Sequence, residues 1–394
     1  MATSTAVSVP AVTGDARADL LLARMSLTDK LRLLEWVPDR SVGQFKAARL
    51  RGTPRLGIPT LRLVDGPPGE AALSVAPAMT APLAIAATFS RADAYANGTA
   101  IGRDARALGD QVVALPVADL VRDPAWSEAG STFGEDPLLA GQTAAAEITG
   151  IQNQHTMALA RDYIGADGGA NVVLDTQTLH EVYLQPFADA VRARVAAIMC
   201  AGGTVGVVGA TPSGALGPGA PDCDNAGTLT RVLRRELGFA GFVASGWGAN
   251  PATQSLNSGL DTGMTGPVGA GGGFFRPRAI RAAIADGSLS LATVNRAAGA
   301  VLAEMDRFGL LGTARGASDV PVGADEAVAA RTAQDAATLL KNNRNALPLT
   351  ARDLASLALI GPGAGQIIAD GQAAAASLHP AGNASGVQRG RSAP

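Results

Sequence analysis

The sequence predicts an α/β protein whose parallel sheet is closed by crossover helices. Apolar strand-like runs alternate with amphipathic helical stretches, the pattern of repeated strand–helix–strand units. At 394 residues with 47% hydrophobic residues, the chain carries enough apolar surface for one large core. No GxGxxG segment joins a strand to a helix, so a dinucleotide fold has little support.

The elements follow in order. Ser26 with Asp29 three residues on makes a capping signature, and Leu27, Leu31 and Leu34 share one face, which predicts a helix over Ser26 to Trp36. Thr60 to Val64 reads as a strand running into Asp65-Gly66-Pro67. Ala92 to Leu108 reads as helix, Gln111 to Val117 as extended, and Pro137 to Gln152 and Thr178 to Ala196 as helices. Ala196 to Ala201 and Gly241 to Ser245 are further strands, and Leu291 to Phe308 is a last helix. Between them Leu229, Val232, Leu233 and Leu237 keep helical spacing.

Composition narrows the function classes. The formal net charge is −2 and there is no long basic block, so neither nucleic acid nor an anionic membrane is an expected partner; a small molecule is. The two cysteines do not make a disulfide framework in a chain of this size, and Cys200, ending the apolar run Ala196-Ala197-Ile198-Met199, reads as a buried strand thiol. No charged n-region followed by an apolar core opens the chain, and no membrane span is visible, which places the protein in the cytoplasm. The sequons at Asn97 and Asn383 then read as chance matches. With three histidines and no cluster at metal-ligand spacing, neither a metal nor another cofactor is expected. Homodimer formation stays open.

Several motifs occur in a fixed order. They are Arg55-Leu56-Gly57-Ile58-Pro59 leading to Asp65-Gly66-Pro67, Gly102-Arg103-Asp104-Ala105-Arg106-Ala107-Leu108-Gly109, Arg122-Asp123-Pro124 with Gly134-Glu135-Asp136-Pro137, and Thr178-Leu179-His180-Glu181-Val182-Tyr183-Leu184. Then come Ser245-Gly246-Trp247-Gly248-Ala249 and Leu339-Leu340-Lys341-Asn342 with Leu347-Pro348-Leu349. In this order the chain resembles family 3 glycoside hydrolases, the β-glucosidase-like enzymes, over roughly residues 20–365. The resemblance implies a (β/α)8 TIM-like barrel over 21–315, after a flexible segment 1–20 and before a linker and vestigial segment 316–394 that ends as a disordered stretch or arm.

The resemblance also marks where the chain departs from the family. A retaining glycosidase needs one carboxylate to attack the anomeric carbon and a second carboxyl about 5 Å away to protonate the leaving oxygen. The family's strand end reads Ser-Asp-Trp-Gly, with the Asp attacking; here that position is Gly246. The family draws its acid from the domain after the barrel, which is expected to be mostly missing. Glu128 and Ser131 stand where the family has an arginine and a glutamate, Arg161-Asp162 where it has a Lys-His pair, and Gly202-Gly203 where it has Tyr-Asn.

Asp65, Arg161, Trp247, Ser131, Ser245 and Gly246 are the expected substrate-binding positions, and Asp162, Glu128 and Tyr163 the expected acid/base set. A carboxylate beside an arginine can be held ionised and aimed for proton transfer. Arg122 and Asp123 are expected to brace their loop, Asp136 to cap a helix, and His180 to lie on a helix surface. The leading expectation is a family-3-like barrel repurposed for non-hydrolytic acid/base chemistry on a small metabolite, such as cyclisation, dehydration, isomerisation or addition in secondary metabolism. The alternatives are a ligand-binding pseudoenzyme and glycoside hydrolysis by an atypical mechanism; ordinary retaining β-glucosidase activity is not expected.

Overall fold

Thirteen strands alternate with helices in a computed structural model that describes residues 12–39, 47–64, 76–126, 128–169, 171–208, 210–211, 214–215, 219–265, 273–312, 318–358 and 360. The strands are β1 Glu35–Pro38, β2 Ala47–Leu50, β3 Leu61–Val64, β4 Val112–Val113, β5 Met157–Tyr163, β6 Asn171–Asp175 and β7 Ala197–Cys200. They continue as β8 Thr204–Val208, β9 Ala210–Thr211, β10 Gly214–Ala215, β11 Ala220–Pro221, β12 Phe242–Ser245 and β13 Gly263–Met264. Eight form one sheet in the order β12-β7-β5-β4-β3-β2-β1-β13. A parallel bridge from Ala244 to Thr262 joins β12 to the residues entering β13 and closes the sheet on itself. The result is a TIM-like barrel with one irregularity: β2 runs antiparallel to both β1 and β3.

The barrel strands are apolar along their length because both faces are covered, one by barrel interior and one by helices. Met157, Ala158, Leu159 and Ala160 of β5, Ala197 and Ile198 of β7, and Phe242, Val243 and Ala244 of β12 are all fully buried. Outside them the helices Arg91–Leu108 and Pro137–Asn153 lie against each other so closely that a Cβ at Gly98 would meet the Glu147 carbonyl oxygen at 2.2 Å. Asn97 is buried in this contact and donates to Glu147 Oε1 at 2.9 Å, so it is not a glycosylation acceptor. Asn383 lies outside the described residues.

The N-terminal elements differ from the expectation. Ser26 and Asp29 do form a capping box, but that helix stops at Arg32, and Glu35–Pro38 is β1. Tertiary pairing decides this: Trp36 aligns with Met264 across the barrel seam, and its indole N–H donates to Thr262 Oγ1 at 2.9 Å. The helix Ala16–Arg24 packs on Leu291–Arg307, with Arg17 reaching Asp306 at 2.9 Å. Val322–Ala336 packs on Pro82–Ala87 and Arg91–Leu108, with Arg103 bound to Asp325 and Arg331 to Asp93. Beyond it Leu339, Leu340, Leu347 and Leu349 are exposed.

After β7 the chain makes an excursion that its sequence does not announce. β6, β8 and β11 form a separate three-stranded sheet in the order β11-β8-β6. This folds the chain back so that Cys223 meets Cys200, and the two form a disulfide with Cα atoms 5.3 Å apart. The expectation of a free strand thiol at Cys200 is therefore corrected: the residues are 23 apart in sequence, and only the returning excursion makes them neighbours.

Candidate active site

Asp119, Asp162 and Gly246 stand at or just beyond the ends of β4, β5 and β12, the face on which barrel active sites form. β12 stops at Ser245, and the following turn is pinned on two sides: the Gly246 N–H donates to the Cys200 carbonyl at 3.0 Å and the Gly248 N–H to the Met264 carbonyl at 3.2 Å. A Cβ added at Gly246 would find Cys200 O at 3.3 Å and Ala249 Cβ at 3.5 Å. The Cys200 carbonyl would have to give by a few tenths of an ångström to admit a side chain there. At Gly202 an added Cβ meets only Ala249 Cβ within 4 Å, at 3.9 Å. Gly202 thus has room for a Cβ, whereas Gly246 is tighter.

Asp162 is the next-to-last residue of β5 and is partly exposed. Arg161 beside it is buried, and its backbone ties β5 to the end of β4: its N–H donates to the Pro116 carbonyl at 2.9 Å and its carbonyl accepts from Ala118 N–H. Glu128 precedes the short 3-10 turn Ala129–Ser131, and its carbonyl accepts the Ser131 N–H at 2.8 Å. Ser131 is buried, with no hydrogen-bond partner at Oγ. Trp247 is half-buried against the core, and its indole N–H is buried without a partner. Asp65 lies outside the described residues.

Two expected site residues are structural. Tyr163 is buried in the core, stacks edge-on against Phe187 with centroids 4.9 Å apart, and donates its hydroxyl to the Thr228 carbonyl at 3.0 Å. Burial pushes that phenol up from its ordinary range. Ser245 is fully buried, and its Oγ accepts the Met264 N–H at 2.8 Å, which braces β12 to β13.

Three carboxyls stand out that the sequence does not single out: Asp119 and Asp222 feel the charge of Asp162, and Asp119 also that of Asp167. Asp119 is fully buried after β4 and accepts from the backbone N–H groups of Leu120 at 2.9 Å and Ala166 at 2.6 Å. Asp167 accepts from Arg122 N–H and the Tyr183 hydroxyl, both at 3.0 Å, and the Arg122 guanidinium lies 5.5 Å from the Tyr183 ring centre. Asp222 is buried at the end of the excursion, with its N–H donating to the Gly203 carbonyl at 3.0 Å and its Oδ1 without a partner. Burial raises Asp119 well above the usual carboxylate range, and the charges of Asp167 and Asp162 add to the effect. Burial raises Asp222 to about 7, with the Gly203 N–H opposing and Asp162 reinforcing the shift. The available signals were faint: Asp119 is one charge inside the apolar run Val112 to Val121, and Asp222 follows a Gly- and Pro-rich stretch.

The remaining polar residues brace the frame. Asp123 accepts the Ala125 N–H at 2.9 Å, Asp136 caps Pro137–Asn153 through the Leu139 N–H at 2.7 Å, and His180 bridges the Thr176 carbonyl and Glu236 at a helix surface. A hollow lined by Gln152, His155, Arg194 and Arg307 opens at the opposite end of the strands, away from Asp162.

The family description "Glycosyl hydrolase family 3 N terminal domain" matches residues 38–302. A probable β-glucosidase L from Aspergillus terreus is 35% identical over 331 residues, covering 78% of this chain and 42% of that protein. The structure of a β-glucosidase from Streptomyces venezuelae in complex with D-glucose superposes with a TM-score of 0.76 at 34% identity, over 85% of this chain and 43% of the other. A β-D-glucoside glucohydrolase from Trichoderma reesei superposes with a TM-score of 0.74 at 30% identity, over 85% of this chain and 46% of the other. The chain thus spans less than half the length of these relatives.

Proposed function

The chain belongs to glycosyl hydrolase family 3, and from that membership we propose that it hydrolyses O-glycosidic bonds of β-glucoside-like small molecules by direct attack of water. The observation that carries this reading is Gly246: the position that corresponds to the family's attacking residue holds no side chain, and at Gly202 an added Cβ has room, meeting only Ala249 Cβ at 3.9 Å. A water molecule in that space attacks the anomeric carbon as the bond to the leaving oxygen breaks. Asp162 takes one proton from the water, leaving a sugar hydroxyl. Glu128 is the proposed donor to the leaving oxygen, and an aryl leaving group departs as a phenolate that solvent protonates. Single displacement of this kind inverts the anomeric centre, whereas a covalent glycosyl intermediate retains it.

The test is p-nitrophenyl β-D-glucoside, with nitrophenol release followed by absorbance and the first-formed sugar by proton NMR. Slow turnover giving α-glucose first supports direct water attack. β-Glucose first would show attack by a side chain, and no release above buffer would defeat the hydrolytic reading.

A second reading, non-hydrolytic proton transfer on a small metabolite, draws support from the sugar-gripping positions: Arg161 is buried, and Gly202-Gly203 offer no side chain. The Cys200–Cys223 disulfide favours an oxidising compartment over the cytoplasm expected from sequence, because such bridges are rare where thiols are kept reduced. Among the described residues no helix is long and apolar enough to cross a membrane.

A further inference from the structure

We propose that Asp104 and Asp325 form a pH-sensitive latch: with one proton between them they hold the helix Val322–Ala336 on the barrel, and with both ionised they release it. Neither carboxyl takes part in the hydrolytic chemistry proposed above.

The way this helix is attached makes it sensitive to charge. The residues of Val322–Ala336 that the fold buries are Asp325 and Thr332, both fully, whereas its apolar Val328 and Ala329 are only partly covered by the core. Thr332 spends its hydroxyl within the helix, on the Val328 carbonyl at 3.0 Å. Asp325 is therefore the buried side chain through which the helix grips its neighbour, and Arg103 of the helix Arg91–Leu108 binds its Oδ1. Asp104, next to Arg103, is 1% exposed, and its carboxyl lies within hydrogen-bonding reach of the Asp325 carboxyl. Both oxygens of Asp104 and the Oδ2 of Asp325 meet no donor among the described residues. Carboxylate oxygens in contact are all acceptors, so only a proton on one of them can join the pair.

The charge count favours that proton. One guanidinium cannot neutralise two buried carboxylates, and like charges sharing a site keep one member protonated. Asp104 is pushed up to about 7, first by burial and then by the charge of Asp325 and the contact with it, with Arg103 opposing. Other charged groups on the packed elements are engaged elsewhere or face solvent. Arg331 reaches Asp93 at 3.5 Å, Arg106 the Gln154 carbonyl at 3.4 Å, and Glu147 of Pro137–Asn153 bonds Asn97 at 2.9 Å. Glu326 and Asp335 are exposed, and Pro82–Ala87 carries no titratable residue. The docked helix thus holds a proton that a released Asp104 gives up near its ordinary value. The latch is closed at pH 5 and opens as pH rises through about 7.

The test is amide hydrogen exchange of the full chain by mass spectrometry between pH 5 and 9, corrected for the intrinsic rate, in the parent, Asp104→Asn and Asp325→Asn. Protection of peptides from Val322–Ala336, read against β5 peptides of the same sample, is expected to hold in the parent up to pH about 7. Above it, one proton lost per opening weakens closure by about tenfold per pH unit. Asp104→Asn carries an amide that donates to Asp325 at every pH, so its protection stays level to pH 9. Level protection in the parent, or the same fall in parent and Asp104→Asn, overturns the latch. So does a fall shared equally by the β5 peptides, which would be unfolding of the whole barrel. If Asp104→Asn fails to fold, Asp325→Asn decides: one carboxyl is left in the site, so protection independent of pH is expected, and a fall like the parent's overturns the latch.

Discussion

The bodies of the barrel strands and the rim above them belong to the same segments and follow opposite rules. Along β5, Met157 to Ala160 are fully buried and apolar, and Arg161 and Asp162 follow directly. Along β12, Phe242 to Ala244 are fully buried, and Gly246 comes two residues later with no side chain at all. Around that rim stand Asp119, Asp167 and Asp222, all buried, two of them with their ionisation pushed upward by burial. The strand bodies are given over to packing. At the rim Gly246 offers no side chain, and the buried groups are carboxyls. A barrel separates these demands because its core and its chemistry occupy different ends of each strand.

Perturbing each region separately sharpens this contrast. The largest expected effect is in the core: Phe187→Ala removes the ring that packs on Tyr163 and should cost about 3–5 kcal/mol in urea unfolding. An unfolding midpoint close to the parent's would mean that the Tyr163–Phe187 contact is not part of the packed core. Opening the Cys200–Cys223 bridge with reductant comes next, at about 2–4 kcal/mol, because the bridge limits the unfolded chain. Retention of full stability in dithiothreitol would place the excursion's contribution elsewhere.

A pH effect of similar scale is expected from the helix pair. Glu147 is buried and raised to about 7, chiefly by burial, with the Asn97 hydrogen bond opposing. The folded state therefore holds a proton that the unfolded state releases near its ordinary value, so the stabilising contribution is present at pH 4 and is lost as pH rises through about 7. Glu147→Gln should flatten the fall in unfolding free energy between pH 5 and 8; an unaltered slope would contradict the assignment. The smallest effect belongs to Gly246→Asp, for which less than about threefold gain in p-nitrophenyl β-glucoside turnover is expected, since members of a catalytic set contribute little singly. A return of rapid, retaining turnover would show that the rim still fits the family's double displacement.

Local signals carried well from sequence to structure. The capping pair Ser26 and Asp29, the Asp136 cap before Pro137, and the apolar runs of β5, β7 and β12 all depend on residues close in the chain. What was illegible depended on distant partners. Trp36 lies in a strand because Met264 and Thr262 meet it across the seam, and Tyr163 is a core residue because Thr228 takes its hydroxyl. The disulfide and Asp222 reach the rim only through the excursion between β7 and β12, whose short strands have no clear period in sequence. Gly246 could be read at once, since a missing side chain needs no partner to be recognised.

Asp162, a carboxylate near the end of β5, is the residue proposed to carry the chemistry beside a position 246 that has no side chain. The most direct measurement is kcat/KM of Asp162→Asn against the parent on p-nitrophenyl β-D-glucoside, with the urea midpoint recorded for both. The account predicts a loss of about 10²-fold or more at an unchanged midpoint, the scale of a positioned proton-transfer group. Equal turnover in the two proteins would contradict it and remove Asp162 from the mechanism.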